Sequence, residues 1–213
     1  MHNKKKIVIV GATSSIAEHC ARLWQEQETV ELVLVGRDLQ RTSRVAADLK
    51  VRNPQSQISV VKGEFLDPAA IYKTATEICT ARPVDLVLIA HGSLPVQDKC
   101  QTDIQKCHDA LEVNGISPVL YAEAFAHEME KHGRGTLAMI SSVAGDKGRK
   151  SNYVYGAAKG MVSRYAQGLQ HRFANSPVRV VLIKPGPTET PMTAHLKGTG
   201  SKLATVEAVA RRI

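Results

Sequence analysis

Short apolar runs alternate along this chain with segments in which apolar residues recur every three or four positions. The runs predict buried strands, and the periodic segments predict amphipathic helices. The predicted strands cover 7–10, 31–35, 58–61, 84–90, 136–141 and 178–183. The predicted helices cover 17–27, 39–51, 68–80, 99–112, 116–132 and 152–174, with a last one from about 203. This alternation predicts an α/β fold with a doubly wound, mainly parallel sheet in the order 3-2-1-4-5-6.

The chain length suits one such domain. With 213 residues, of which 43% are hydrophobic and 23% charged, the chain has the composition of an ordinary globular protein. We expect one domain over 1–213, with 187–202 as a flexible loop. No apolar run approaches the roughly 20 residues that span a bilayer. The first residues also lack the apolar core of a signal peptide.

Cysteines and histidines predict neither a disulfide framework nor a metal site. The four cysteines, Cys20, Cys79, Cys100 and Cys107, include no Cys-x-x-Cys pair, and the eight histidines show no ligand spacing. We interpret the cysteines as reduced thiols of a cytosolic protein.

The net charge of +8 is spread along the chain, apart from residues 4–6 and the Lys147-Gly148-Arg149-Lys150 cluster. No aromatic interleaving or nucleic-acid motif accompanies it, so solvated surface explains most of the charge. We expect no nucleic-acid partner and no transmembrane segment, while peripheral membrane contact stays open.

Tyr155 and Lys159 lie four residues apart, on one face of a predicted helix. An ammonium beside a phenol lowers the pKa of the phenol from about 10, which lets it exchange a proton with a substrate near neutral pH. Ser142 follows the fifth predicted strand, from which its hydroxyl can reach the phenol. Tyr153, two residues before Tyr155, does not share the helix face that carries Lys159. Such spacing also occurs by chance in helices, so its meaning depends on the rest of the chain.

The turn after the first strand predicts a phosphate site. Residues 11–17 begin with glycine and open a helix, the arrangement that binds a pyrophosphate. Ser15 and Ala17 stand where further glycines are usual, so an ordinary strand-to-helix turn remains an alternative. Arg37 follows the second strand, where an acidic residue would bind the 2′-hydroxyl of NAD. Because arginine suits a 2′-phosphate, we favour NADP(H) over NAD(H).

Two nearby residues have two interpretations each. Arg41, one turn after Arg37, either assists it or is solvated surface. Asp67, after the third strand, caps the helix that begins at Pro68, faces the adenine, or does both.

Together these features resemble the short-chain dehydrogenase/reductase family in its single-domain form. The resemblance spans residues 5–195. It is carried by Gly11-Ala-Thr-Ser-Ser-Ile-Ala17, Asp67, Ala90-His91-Gly92, Asn114, Ser142, Tyr155-x-x-x-Lys159 and Pro185-Gly186. It implies a Rossmann-type fold, a nicotinamide cofactor, a small-molecule carbonyl or alcohol substrate, and a homodimer or homotetramer assembled through 99–132 and 152–174.

The resemblance also implies residue roles. Tyr155 would be the general acid, and Lys159 would lower its pKa and bind the nicotinamide ribose. Ser142 would hold the substrate carbonyl. Asn114 would anchor a water that relays protons to Lys159, or would simply cap a helix before Gly115. The implied cofactor contacts are Gly11, Thr13, Ser14, Ser15, Ile16, Arg37, Leu66, Asp67, Ala90, His91, Gly92, Tyr155, Lys159, Pro185, Gly186 and Thr188, and the implied lid is Thr190-Pro191-Met192.

Some features depart from the family pattern. Glycines are missing from the first turn, and His91 replaces an asparagine common after strand four. The family usually continues past the position of Ile213 into another strand, so we expect a last strand and part of the substrate pocket beyond it.

A narrower resemblance lies in the Arg149-x-Ser151-Asn152-x-Val154-Tyr155-Gly156 pattern. It is similar to the subgroup of decaprenylphosphoryl 2-keto-erythro-pentose reductase-like oxidoreductases. The nearby Lys147, Arg149 and Lys150 would suit a phosphorylated sugar or sugar-lipid, although loop surface charge is the favoured interpretation. We therefore expect an NADP(H)-dependent oxidoreductase acting on a ketone or secondary alcohol. The alternative is a catalytically silent NADP-binding sensor on the same fold.

Overall fold

The computed structural model describes residues 4–196, 198, 200 and 202–213, and its strands form one parallel sheet. The strands are β1 (Lys5–Val10), β2 (Val30–Gly36), β3 (Gln57–Lys62), β4 (Leu86–Ile89), β5 (Gly135–Ile140) and β6 (Val178–Ile183). They lie in the order β3-β2-β1-β4-β5-β6, and each neighbouring pair is parallel. The predicted order is therefore confirmed.

Helices cover both faces of the sheet. They are α1 (Ser15–Gln27), α2 (Leu39–Arg52), α3 (Pro68–Ala81), α4 (Gln97–Thr102), α5 (Ile104–Leu111), α6 (Ser117–His132), α7 (Tyr153–Arg172) and α8 (Val206–Ala210). The β-branched run of β1 shows why two layers form: Val8 and Val10 pack with α3, α6 and α7, and Ile7 and Ile9 pack with α1. Because successive strand residues point to opposite faces, a strand buried on both sides is apolar throughout.

The helices before and after Asn114 differ from their predicted bounds. The predicted helix at 99–112 breaks at Asp103, whose carboxylate accepts hydrogen bonds from the first amides of α5. The predicted gap before 116 is instead a π-helical turn, Glu112–Ile116, that leads directly into α6. Pro118 has no backbone N–H, so regular helix hydrogen bonding cannot continue there, and the amide of Ser117 reaches back to the carbonyl of Glu112.

Three residues of the predicted loop at 187–202, namely 197, 199 and 201, lie outside the described residues. Within the loop, Pro191–Leu196 form a 3-10 helix, and Thr188 pairs with Ala204 in a short β-bridge. The last helix begins at Val206 rather than at 203, because Thr205 caps it. Across the ranges that the structure describes, no helix combines the length and apolar character that a bilayer crossing requires.

A close approach joins β5 to α7. After Ser142 the chain makes a 3-10 turn, Val143–Gly145, that lies against α7. A Cβ added at Gly156 would lie 2.8 Å from the Ala144 carbonyl oxygen, and one at Gly145 would lie 2.7 Å from the backbone of Gly160. Glycine at these positions therefore lets the turn that follows Ser142 contact the helix that carries Tyr155 and Lys159.

We predict that Gly156→Ala destabilises the protein by about 1–3 kcal/mol, since the added methyl forces the turn away from α7. Gly168→Ala is the matched control on the same helix, because nothing lies within 4 Å of a Cβ at that position. There alanine should stabilise the protein by roughly 0.5–1 kcal/mol through the lower entropy of the unfolded chain. Urea unfolding measures the change in stability of both variants. Equal changes would show that the contact between α7 and the turn after Ser142 does not require glycine at position 156.

Candidate active site

The residues singled out from the sequence follow the carboxyl ends of the strands. Gly11 follows β1, Arg37 follows β2, His91 follows β4, Ser142 follows β5 and Pro185 follows β6. In a parallel sheet these ends meet at one edge, which is where doubly wound folds bind ligands.

Two adjacent serines at the end of β5 have different environments. Ser141 is 2% exposed, and its hydroxyl donates to the Lys159 carbonyl and pairs with the Ser163 hydroxyl, both at 2.8 Å. Ser142 is only partly buried, and its oxygen accepts a hydrogen bond from the Ala144 amide at 3.1 Å. Ser141 therefore fastens the strand to α7, whereas Ser142 presents its hydroxyl to the space beside Tyr155.

Tyr155 and Lys159 share a face of α7, as their spacing predicts. The Lys159 Nζ atom lies 5.9 Å from the centre of the Tyr155 ring, and Tyr153 is 44% exposed to solvent. The expected direction of the phenol's pKa is wrong for this structure. Burial raises the pKa of Tyr155, and the Ser142 hydroxyl only partly opposes this shift by hydrogen bonding. Desolvation of the phenolate is the largest cause of this shift, and the Lys159 ammonium donates its hydrogen bond to the Ile140 carbonyl oxygen.

Lys159 is a buried cation. It is 3% exposed, and its Nζ donates to the carbonyl of Ile140 at the end of β5 at 3.0 Å. Burial lowers the pKa of Lys159 to about 8, since removing an ammonium from water penalises its charged form. The amine therefore titrates close to neutral pH.

Asn114 lies in the π-helical turn and is fully buried. Its Nδ2 donates to the Ala110 carbonyl and its Oδ1 accepts from the Ser93 amide, both at 2.8 Å. The helix-cap alternative is therefore wrong, because Asn114 bonds across to the segment after β4. π-helical turns of this kind occur frequently at functional sites.

The first turn has the features that a dinucleotide phosphate needs. Gly11 has a φ of +85°, and a Cβ there would lie 2.6 Å from the backbone of His91. The side chain of Ser14, the N-cap of α1, makes no capping hydrogen bond, so the helix does not satisfy its first amides through that side chain. Thr13, Ser15 and Ile16 are partly exposed around the same turn. Such an open helix N-terminus suits an anion.

The other end of the site also fits a bound cofactor. A Cβ added at Gly92 would lie 2.9 Å from Asn114 Oδ1 and 3.5 Å from Lys159 Nζ. The segment Ala90-His91-Gly92 therefore borders the buried amide and ammonium directly, and a side chain at Gly92 would fill the space before them. The residues at both ends are consistent with a nicotinamide dinucleotide lying along this edge.

A cleft of about 260 Å³ extends from the first turn toward α2, and its charged lining comprises Arg22, Arg41 and Arg44 together with Glu18 and Asp48. Arg22 is paired with Asp48 at 3.0 Å. Arg37 and Arg41 are exposed, and the structure describes no ion pair for either. Sequence reasoning missed Arg44, although its position three residues after Arg41 places it on the same side of α2.

His91 is neutral in this structure. Its Nε2 lies 2.9 Å from the Ser117 hydroxyl, and its ring contacts Phe65 and Tyr121 edge-on. Burial, with a contribution from the nearby Lys159 charge, lowers the pKa of His91 to about 3. The histidine thus joins the end of β4 to α6 without carrying charge.

The remaining predicted contacts are placed as follows. Asp67 caps α3, accepting hydrogen bonds from the amides of Ala69 and Ala70, while Leu66 is 54% exposed beside it. Pro185 accepts a hydrogen bond from the Val143 amide, and the Thr188 hydroxyl donates to the Gly186 carbonyl. These residues line the same edge of the sheet as Ser142.

One group of potential metal ligands lies elsewhere in the described structure. His108, Asp109 and Glu112 bring their ligand atoms within 4.8 Å of one another on the outer side of α5, where His108 and Asp109 are exposed. Exposed ion pairs explain this group equally well. The expected absence of a metal remains a prediction.

Comparison with known proteins identifies the relatives of this chain. The family model for short chain dehydrogenases matches residues 5–199. An uncharacterized oxidoreductase of Mycobacterium tuberculosis is 30% identical over 212 residues, which are 96% of this chain and 83% of that protein.

Two solved structures share the fold. A short-chain type dehydrogenase/reductase from Mycobacterium ulcerans has a TM-score of 0.87 and 20% identity, over 98% of this chain and 81% of its own. A short-chain dehydrogenase from Sphingobium yanoikuyae, solved in complex with NADPH, has a TM-score of 0.86 and 22% identity, over 97% and 82%.

We predict that Lys159→Met stabilises the fold at pH 7, by on the order of 3 kcal/mol, because the wild type must bury an ammonium. Between the folded pKa of about 8 and the ordinary lysine pKa of 10.5, the unfolded state binds more protons than the folded state. Wild-type stability therefore rises with pH across that window, and the advantage of the variant shrinks to near zero above it.

Urea unfolding at several pH values between 6.5 and 10.5 measures this difference. Lys73→Met is the control, since the side chain of Lys73 is 76% exposed. An advantage of Lys159→Met that stays constant with pH would contradict the prediction, as would an equal advantage of the control.

Proposed function

The chain belongs to the short-chain dehydrogenase/reductase family, and on that premise we propose that it is an NADP(H)-dependent oxidoreductase of ketones or secondary alcohols. The observation that carries this proposal is the convergence of Tyr155, Lys159, Ser142 and Asn114 at one edge of the sheet. A small-molecule carbonyl or alcohol is the matching substrate class. The cofactor, when bound, would supply or accept the hydride.

The proposed mechanism gives each of these four residues a role in proton transfer or in holding the substrate oxygen. Tyr155 donates its phenolic proton to the substrate oxygen during reduction, and Ser142 donates a hydrogen bond to the same oxygen. The raised pKa of Tyr155 supports the acid role, because a phenol must be protonated to donate. Lys159 has a pKa near 8 and stabilises the phenolate that forms. Asn114 would hold a water that returns a proton through Lys159.

NADP(H) is proposed over NAD(H) on the charge of the first turn and α2. Arg41 and Arg44 line the cleft next to Thr13, and Arg37 lies between the end of β2 and the start of α2. A 2′-phosphate is doubly charged near neutral pH and pairs well with guanidinium groups. The fold relative from Sphingobium yanoikuyae was solved with NADPH, which is consistent with this choice.

We propose further that the substrate is a sugar, or a phosphorylated sugar or sugar-lipid, as in the subgroup that the Arg149–Gly156 pattern resembles. The segment between Ser142 and Tyr155 carries Lys147, Arg149 and Lys150, all of them exposed. Lys184, after β6, holds this segment through two hydrogen bonds to the Asp146 carboxylate, at 3.0 and 3.1 Å. The charges therefore stand on an anchored segment with catalytic residues at both of its ends. The lid at Thr190-Pro191-Met192, within the loop 187–202 of a single domain, completes the proposed pocket.

A homodimer or homotetramer is proposed through α4–α6 and α7. Exposed apolar side chains on these elements support it: Ile104 is 84% exposed, Ile116 42% and Met161 43%. Light scattering of the purified protein gives the assembly size, and a monomer at micromolar concentration would argue against the proposal.

We predict that Tyr155→Phe abolishes turnover, with a loss of roughly 100-fold or more, because phenylalanine has no proton to donate. Its dissociation constant for NADPH should stay within a few-fold of wild type. Tyr153→Phe, on the exposed side of α7, is the matched control and should keep its activity. The assay follows NADPH oxidation over a ketone panel that includes phosphorylated and neutral ketoses.

The ketone panel tests the proposed mechanism and the proposed substrate class separately. Full activity of Tyr155→Phe on any substrate would overturn the mechanism. Equal kcat/KM values for phosphorylated and neutral ketoses would leave the mechanism intact and contradict a phosphate-recognising segment.

We also predict that the double variant Arg37→Ala, Arg41→Ala weakens NADPH binding about tenfold or more, since charge-assisted hydrogen bonds contribute about 1.5–3 kcal/mol. NADH binding, which involves no 2′-phosphate, should change less than about twofold by the same reasoning. Arg134→Ala is the control, because Arg134 precedes β5 at the opposite end of the strands, where its guanidinium pairs with Asp85 at 3.2 Å. Fluorescence titration with NADPH and with NADH measures the two dissociation constants. Equal losses of affinity for the two cofactors would refute NADP selectivity.

A further inference from the structure

Cys100 and Cys107 lie together in the hairpin formed by α4 and α5. A single extended residue, Asp103, joins the two helices, with φ −136° and ψ 104°. The Cys100 Sγ atom lies 3.7 Å from the carbonyl oxygen of Lys106, the residue before Cys107. Cys107 packs against the small apolar cluster that contains Cys100, Ala110 and Val154. The two free thiols thus belong to one small cluster within this hairpin.

The two thiols differ in access to solvent. Cys107 is partly exposed, whereas Cys100 is 6% exposed. Burial, and then the proximity of Cys107 and Asp103, raise the pKa of Cys100. In the single chain that the structure describes, a soluble reagent therefore meets Cys107 before Cys100.

The other two cysteines do not share this arrangement. Cys20 on α1 and Cys79 on α3 are each at most 1% exposed, within the two main core layers. Burial raises the pKa of Cys20 to about 12 and that of Cys79 to about 11. Such thiols are inert toward soluble oxidants.

The hairpin supports the start of the helix that carries Tyr155. Gln97, the first residue of α4, is 6% exposed, and its Oε1 accepts a hydrogen bond from the Val154 amide at 3.1 Å. Val154 directly precedes Tyr155 and packs against the cluster that contains Cys100. Asn152, the N-cap of α7, makes no side-chain cap, so Gln97 supplies an acceptor that the helix start otherwise lacks.

We propose that Cys100 and Cys107 are a reversible redox-modification site that loosens the N-terminus of α7 when a small-molecule disulfide such as oxidised glutathione oxidises it. The Cys107 thiolate attacks one sulfur of that disulfide, forms a mixed disulfide and releases one thiol. The Cys100 thiolate then attacks the Cys107 sulfur, forms the intramolecular bond and releases the second thiol. Two protein thiols are oxidised, one disulfide is reduced to two thiols, and the two protons pass to the leaving thiolates.

The new bond constrains the hairpin. A disulfide holds its two Cα atoms roughly 4.4–6.8 Å apart with a dihedral near 90°, a restriction that the reduced hairpin does not carry. A shift of α4 to meet this geometry would break the hydrogen bond that Gln97 accepts from the Val154 amide. The formation of the bond is independent of the proposed function, whereas an effect on turnover rests on it.

Mass spectrometry tests the bond. The native protein is incubated with oxidised glutathione and digested with trypsin, which cuts after Lys99 and Lys106. The proposal expects an intact mass lower by two hydrogens and a linked pair of peptides, 100–106 with 107–131. Cys100→Ser should instead retain glutathione on Cys107, and Cys107→Ser should stay unmodified. Retention of glutathione on Cys107 of the wild type, without transfer, would overturn the pair.

Hydrogen exchange tests the coupling without any assay of activity. Exchange at the Val154 amide should rise about fivefold in the oxidised protein, as expected for the loss of one hydrogen bond, and should return with dithiothreitol. Cys107→Ser, treated identically, should show no change. A disulfide that leaves Val154 exchange unchanged would overturn the coupling. Failure of both redox forms to oxidise NADPH would count against the proposed function and not against the thiol pair.

Discussion

The hydrogen bond from the Lys159 ammonium to the Ile140 carbonyl determines the arrangement of the site. It joins α7 to the end of β5, where the chain leaves the sheet toward Ser142. A buried ammonium is costly, so it persists only where the surrounding structure holds it. Three further features supply that support: the Ser141 hydroxyl on the Lys159 carbonyl, the Ser163 hydroxyl beside it, and the glycine contacts between α7 and the turn after Ser142. The junction thus holds a buried cation beside a phenol, at the free-energy cost that burying an ammonium carries.

The fold follows directly from local patterns, and its order was predictable for that reason. Several strands are short apolar runs that end at a residue typical of turns, such as Gly11 after β1, Gly36 in β2 and Pro185 after β6, so both signals indicate the same boundaries. The break at Asp103 and the π-helical turn at Asn114 were not predictable with the same rules. Asp103 sits inside an otherwise helical pattern, and its capping role depends on which amides it faces. Pro118 signals a disturbed helix but does not say whether the chain ends there or widens.

The chemistry of the site was likewise predictable from the sequence only in part. The positions of Ser142, Tyr155 and Lys159 follow from spacing, because a four-residue interval on a helix fixes their common face. Their titration does not follow from spacing, since desolvation depends on what the rest of the chain packs around them. Burial moves the pKa of Tyr155 up and that of Lys159 down, while proximity alone predicts a lower value for the phenol. Arg44 was missed because its role depends on a cleft that exists only after α2 docks beside the first turn.

Burial raises the pKa of Tyr155 and lowers that of Lys159, and these opposite shifts favour proton transfer from Lys159 to Tyr155. Near neutral pH the phenol is protonated and able to donate, and the amine lies within about one unit of its pKa of about 8. In the proposed reduction, the phenolate left after Tyr155 gives its proton to a substrate oxygen would attract the buried charge of Lys159 and favour the ammonium. Lys159, whose Nζ lies 5.9 Å from the centre of the Tyr155 ring, would then be placed to return a proton. The acid would therefore be restored from within the protein, through Lys159 and the segment that Asn114 holds, rather than from water entering beside the substrate.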